Sequence, residues 1–238
     1  MTVDDAHPFF ECAEPLMLVS HAGDTASGAS SGSMTAYRRA AELGFRAFQV
    51  DVVAAPDDTL LSMHAVFGRK RGFLSGTLAD TRELAGADVP TLSELFAEFP
   101  EARWNIELKS VQCEDALVAL IERYPHRERL CVSAPFHTRV LRRLRRRFPD
   151  LATNASLLEG ALIGFDLVFW RRRAAQGVQL FAPIARGWVI RRNVQRGVAV
   201  HVWTVNDAAA ARAFRAAGAT GLVVDDYAAV APALRESP

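Results

Sequence analysis

Short apolar runs alternate with amphipathic segments along the whole chain, and this alternation limits the fold more than any other feature. Runs at 16–20, 44–52, 60–63, 104–109, 129–134, 152–156, 165–170, 179–182, 198–205 and 220–225 have the length and apolar or β-branched content of buried strands. Between them, segments at 34–43, 78–84, 92–99, 114–124, 138–148, 158–163, 187–196 and 207–217 carry helical spacing. Ser33 is placed to cap the first helix and Gly44 to stop it; Pro90 and Thr91 open the helix over 92–99. About eight strand–helix repeats with no linker predict one α/β domain, a parallel (β/α)8 TIM barrel over residues 1–238 with its core at about 15–235.

That architecture gives scattered polar residues one address, because barrel enzymes work at the C-terminal ends of their strands. Gln49 and Asp51 share one face of an otherwise apolar strand, as do Glu107 and Lys109 in Asn105-Ile106-Glu107-Leu108-Lys109. Burying a carboxylate without a partner costs several kcal/mol, so Asp51 is expected to meet a cation, a strong donor or the water of a cleft. His21 and His64 each end a short strand. The oxygens of Gln49, Asp51 and Glu107 suit Mg²⁺ or Ca²⁺ better than zinc, and Lys109 offers a point charge to an anion. Two histidines could move protons near neutral pH. Metal, lysine and a histidine pair together describe phosphate ester cleavage. His201 shares a face with Trp203 and reads equally well as a packed core residue.

Charge and composition narrow the partners. Twenty-eight Lys and Arg against 27 Asp and Glu leave a formal charge of +1, so nothing global points to nucleic acid. Three scattered cysteines predict reduced thiols and a cytoplasmic setting. Residues 1–15 lack the basic-then-apolar pattern of a secretory signal, and no apolar run reaches the roughly 18 residues of a membrane span. Arg139, Arg142, Arg143, Arg145, Arg146 and Arg147 on one helix, and Arg171-Arg172-Arg173, read as solvated faces, with transient contact to an anionic membrane surface as the alternative. Oligomeric state is not readable from the chain.

Together these pieces resemble the glycerophosphodiester phosphodiesterase family, from Val19-Ser20-His21 to Gly221-Leu222-Val223-Val224-Asp225. Its most specific carriers are Asn105 to Lys109, Pro90-Thr91-Leu92-Ser93-Glu94-Leu95 and Val202-Trp203-Thr204-Val205-Asn206. The resemblance implies a metal-dependent hydrolase acting on a small phosphodiester. His21 and His64 would be its acid/base pair, Asp51 and Glu107 its metal carboxylates with Gln49 beside them, Lys109 its phosphate contact and Trp203 part of the pocket lining. Four positions depart from the family pattern. Ala22 stands for the usual Arg, Ser31-Gly32-Ser33 for a Glu-Asn-Thr or Glu-Asn-Ser element, Gln49 for the first acid of Glu-x-Asp, and Ala65 for an Asp. Exchanging a carboxylate for the Gln49 amide keeps an oxygen but removes a charge, which weakens attraction for a divalent cation. A weakened or altered phosphodiesterase is therefore expected. The alternatives are a silent barrel that binds a phosphorylated ligand or protein, and a lyase-like enzyme that forms a cyclic phosphate.

Overall fold

The computed structural model describes residues 7–11, 16–26, 28–63, 79, 88–164 and 175–235. Among the described residues nine strands lie in one sheet: β1 Met17–His21, β2 Ala47–Ala54, β3 Leu60–Ser62, β4 Arg103–Leu108, β5 Leu130–Ser133, β6 Ala152–Thr153, β7 Gly177–Phe181, β8 Ala199–Trp203 and β9 Gly221–Val224. Eight of them pair in parallel in the order β6-β5-β4-β2-β1-β9-β8-β7, and a bridge between Asn154 and Gly177 joins the two ends. The chain is thus a (β/α)8 barrel, as its alternation predicts.

The run at 60–63 is not a stave. It folds back antiparallel on β2, pairing Ala54 with Leu60 and Val52 with Ser62. The cause is local: Ala55-Pro56-Asp57-Asp58 forms a tight turn in which Asp57 accepts from the Thr59 amide and Asp58 takes a left-handed conformation. The 165–170 strand, the 78–84 helix (Ala79 apart) and Arg171 to Arg173 lie outside the described residues.

The helices are α1 Met34–Glu42, α2 Leu92–Glu98, α3 Cys113–Arg123, α4 Thr138–Arg147, α5 Leu157–Gly164, α6 Gly187–Val194, α7 Ala208–Ala216 and α8 Tyr227–Arg235. Ser33 caps α1 by accepting from the Ala36 amide. The Pro90-to-Leu95 motif has a physical basis, since Thr91 and Glu94 form a reciprocal capping box at the start of α2. Alternate residues of β2, Phe48, Val50 and Val52, face a large apolar layer that also holds Tyr37, Trp104 and Leu117.

The N-terminal mouth of the barrel is plugged. Phe9 and Phe10 pack against Cys131 and Ala152, and the Phe10 ring meets the His201 ring at 5.4 Å. Gly177 is required there, because a Cβ would lie 2.5 Å from the Phe10 ring. Among the described residues no helix is long and apolar enough to cross a membrane.

On α4, Val140, Leu141 and Leu144 face inward. Arg143 pairs with Glu114, Arg147 with Glu122, and Arg145 with Glu159 at 2.7 Å. Much of the positive charge on this helix is therefore met within the fold.

Candidate active site

At the C-terminal ends of the strands, β2 and β4 place their polar residues side by side. The parallel register sets Gln49 beside Asn105 and Asp51 beside Glu107. Gln49 and Asp51 are buried, 6% and 3% exposed, on the face opposite the apolar layer. The predicted alternation of this strand is thus realised. From α1, the Tyr37 hydroxyl holds the strand by donating to the Gln49 carbonyl, and it also contacts Ser62 Oγ at 3.1 Å.

Lys109, just past the end of β4, joins the two carboxylates. Its Nζ lies 3.1 Å from Asp51 Oδ2 and 2.5 Å from Glu107 Oε1. The Gln49 amide donates to Glu107 Oε2 at 3.2 Å. Burial, and next the neighbouring Asp51 charge, push the Glu107 carboxyl up, against the pull of Lys109. Burial would lower the Lys109 ammonium, but the two carboxylates more than offset it and leave it raised. Four of the expected site residues, Gln49, Asp51, Glu107 and Lys109, therefore form one cluster in which a single ammonium meets two carboxylates.

His21 ends β1 beside this cluster, its backbone paired with Gln49. Its Nδ1 contacts Asp225 Oδ1 at 2.8 Å, and Asn206 donates to Asp225 Oδ2 at 2.8 Å. Asn206 Oδ1 in turn accepts from the Asp225 and Asp226 amides. The hydrogen bond to Asp225 raises the His21 imidazole, helped by the charges of Asp225, Asp51 and Glu107 and opposed by burial. The bond from His21 lowers the Asp225 carboxyl.

Asp225 and Asn206 join the candidate site through these contacts, although the sequence does not single them out as site residues. Each stands just past a strand end within a quoted motif, which was the available signal. Trp203 ends β8, half-exposed, with its ring 5.0 Å from that of Phe181. His201 is fully buried and belongs to the core, where burial depresses its imidazole to about 4. His64 and Ala65 lie outside the described residues. Of the other departures, Ala22 adopts a left-handed conformation, donates its amide to the Gln49 carbonyl at 3.1 Å and accepts from Gly32 at 2.7 Å.

Among the described residues no group of three or more His, Cys, Asp or Glu side chains is arranged to hold a metal. The cluster brings two acids, and the third oxygen is that of Gln49. This Oε1 is buried and has no hydrogen-bond partner among the described residues. An orphaned buried oxygen beside two crowded carboxylates is a donor set that fits a hard divalent cation, with one charge fewer than three acids would give.

Residues 169–229 match the Glycerophosphoryl diester phosphodiesterase family. A Mycobacterium tuberculosis protein named "probable glycerophosphodiester phosphodiesterase 2" is 30% identical over 209 residues, covering 79% of this chain and 79% of its own. Among solved structures, the glycerophosphodiester phosphodiesterase of Agrobacterium tumefaciens superposes with a TM-score of 0.72 at 19% identity, covering 92% of this chain and 98% of its own. An Oleispira antarctica phosphodiesterase in complex with the product sn-glycerol-3-phosphate does so with a TM-score of 0.72 at 17% identity, covering 92% of this chain and 97% of its own. The two structures agree with the barrel assignment.

Proposed function

The chain belongs to the glycerophosphodiester phosphodiesterase family and is a phosphoric diester hydrolase; on that premise we propose that it cleaves a small glycerophosphodiester into an alcohol and a phosphomonoester at the mouth formed by β1, β2, β4 and β9. The observation that carries this reading is the meeting of His21, held by Asp225, with the buried Asp51–Lys109–Glu107 cluster.

In this reading water adds to phosphorus as the phosphorus–alkoxide bond breaks, and the leaving oxygen must gain a proton. With Nδ1 engaged by Asp225, the Nε2 of His21 is the atom that gives or takes it. His64 is assigned the complementary transfer by family resemblance. Lys109 stands where an ammonium can meet the phosphate oxygens, and Trp203 lines the pocket. Asp51, Glu107 and Gln49 would hold a Mg²⁺ or Ca²⁺ ion, which when bound supplies charge stabilisation for the phosphate.

The test is hydrolysis of glycerophosphocholine followed by phosphorus NMR, with either metal. Formation of glycerol phosphate that disappears in His21→Ala and His64→Ala supports the proposal. Binding of the diester by calorimetry without turnover would replace it with a silent binding barrel. A cyclic phosphate product would replace hydrolysis with intramolecular transfer.

A further inference from the structure

Among the described residues nine large apolar side chains are exposed, and all but Leu43 stand at or just beyond the C-terminal ends of barrel strands. Six of the eight are more than half exposed. Scattered singly such residues need no explanation, but confinement to the mouth of the candidate site does. Phe136 comes from the β5–α4 loop and Leu157 and Leu158 from the first turn of α5, and the two segments are tied by the Leu157 amide to the Pro135 carbonyl and by Thr138 to Ser156. Phe181 ends β7, Ile184 lies in the short turn that follows it and Trp188 in the first turn of α6, and the Phe181 ring reaches Trp203 at the end of β8. Trp203 is only three residues from Asn206, which holds Asp225 against His21.

The opposite side of the mouth differs. After β8 and β9 the chain presents Asn206, Asp207, Asp225 and Asp226, whereas the sector from β4 to β7 presents the apolar rim. Exposed Arg186, between Ile184 and Trp188, adds a cation to that rim. A mouth that is polar on one side and apolar with a cation on the other matches an anion bearing one polar and one hydrocarbon substituent.

We infer, resting on the phosphodiesterase reading, that the preferred substrate is a phosphodiester amphiphile whose alkyl or acyl chain lies on the rim formed by the β5–α4 loop, the end of β7 with the turn after it, and the first turns of α5 and α6. Removing a methylene from water is worth about fourfold in binding, so a tenfold preference needs fewer than two methylenes fully covered.

The test compares glycerophosphocholine with a short-chain lysophosphatidylcholine kept below its micelle concentration, using wild type and the surface variants Phe136→Ser and Ile184→Ser/Trp188→Ser. The expected result is at least a tenfold higher kcat/KM for the chain-bearing substrate. That preference should be largely lost in the variants, with glycerophosphocholine turnover unchanged. Equal kcat/KM for both substrates overturns the inference while leaving the phosphodiesterase reading intact. Preference that appears only with vesicles, or variants that change oligomeric state instead of preference, overturns it in favour of a bilayer or a second copy as the occupant. Binding of monomeric dodecylphosphocholine, followed by tryptophan fluorescence, gives a readout that needs no turnover. If neither diester is cleaved, binding that the variants weaken supports the chain site and sinks the hydrolase reading, while absence of binding sinks both.

Discussion

Replacing Asp225 by Asn should damage proton transfer without disturbing the fold around it. The His21 and Asp225 side chains are 29% and 41% exposed, so the pair lies between a screened surface contact and a buried charge-assisted bond. An exposed pair contributes up to about 1 kcal/mol and a hydrogen bond to a charged group about 1.5–3 kcal/mol, so a loss of about 1–2 kcal/mol is reasonable. In rate that is roughly five- to thirtyfold in kcat/KM. The direction follows from donors and acceptors. To keep the bond from Asn206 Nδ2, the new amide must turn its oxygen outward and its NH₂ toward His21 Nδ1. Nδ1 then becomes an acceptor and the proton moves to Nε2, which removes the base form at the atom that faces substrate. Because Asp225 raises the imidazole, the limb of the pH–rate profile belonging to His21 should move to lower pH. Stability follows the same sign. A raised histidine contributes fully below about pH 6.5 and loses that contribution as pH rises through its folded value, so the variant should be weaker than wild type at pH 6 and nearly equal at pH 9. Steady-state hydrolysis of glycerophosphocholine from pH 5 to 9, with urea unfolding at the two ends, measures both. An unmoved limb with kcat/KM within about twofold of wild type would refute the argument.

Three further changes probe the rest of the barrel. Lys109→Met leaves two buried carboxylates facing each other and should destabilise the protein by about 3–5 kcal/mol at pH 8. Since Glu107 is raised in the fold, its burden grows as pH climbs above its ordinary value and is relieved on acidification, so urea midpoints of the variant should recover toward pH 5. Gln49→Glu removes the amide bond to Glu107 and adds like charge, so the metal-free protein should lose about 1–3 kcal/mol. Mg²⁺ or Ca²⁺ titrated by calorimetry should then bind more tightly than to wild type, and a rise in melting temperature with added metal should accompany it. His201→Leu should flatten the acid side of the stability profile. The buried imidazole, depressed to about 4, costs wild type on the order of 3 kcal/mol as pH falls from 6.5 toward 4, and circular dichroism melts at pH 7 and 4.5 would show whether that slope is gone.

The barrel was legible because its causes are local and repeated. Period-two patterning put Gln49 and Asp51 on one face, and the Thr91–Glu94 capping box wrote itself into a recognisable motif. What local pattern could not supply was partner direction. Residues 60–63 look as apolar as any stave, yet the tight turn at 55–58 sends them back along β2 before a crossover helix can form. The arginines of α4 posed the same problem, because their partners Glu114, Glu122 and Glu159 come from other segments.

At the site, the residues that sequence reasoning selected were those whose placement was costly without a partner, and this explains which ones it passed over. Asp51 and Glu107 on apolar strands demanded an explanation, whereas Asp225 and Asn206, in polar loop positions, demanded none. Their place at the site arises only through closure, which brings β9 beside β1 and so sets Asp225 against His21 across 204 residues of chain. Gln49 shows the converse. Its amide reads in sequence as a lost charge, but in the fold its nitrogen is engaged by Glu107 while its oxygen is left buried without a partner among the described residues. An amide in this position relieves part of the carboxylate crowding and still keeps one buried lone-pair oxygen on a residue of the cluster. Gln49→Glu should therefore raise cation affinity and lower the stability of the metal-free barrel, moving those two quantities in opposite directions.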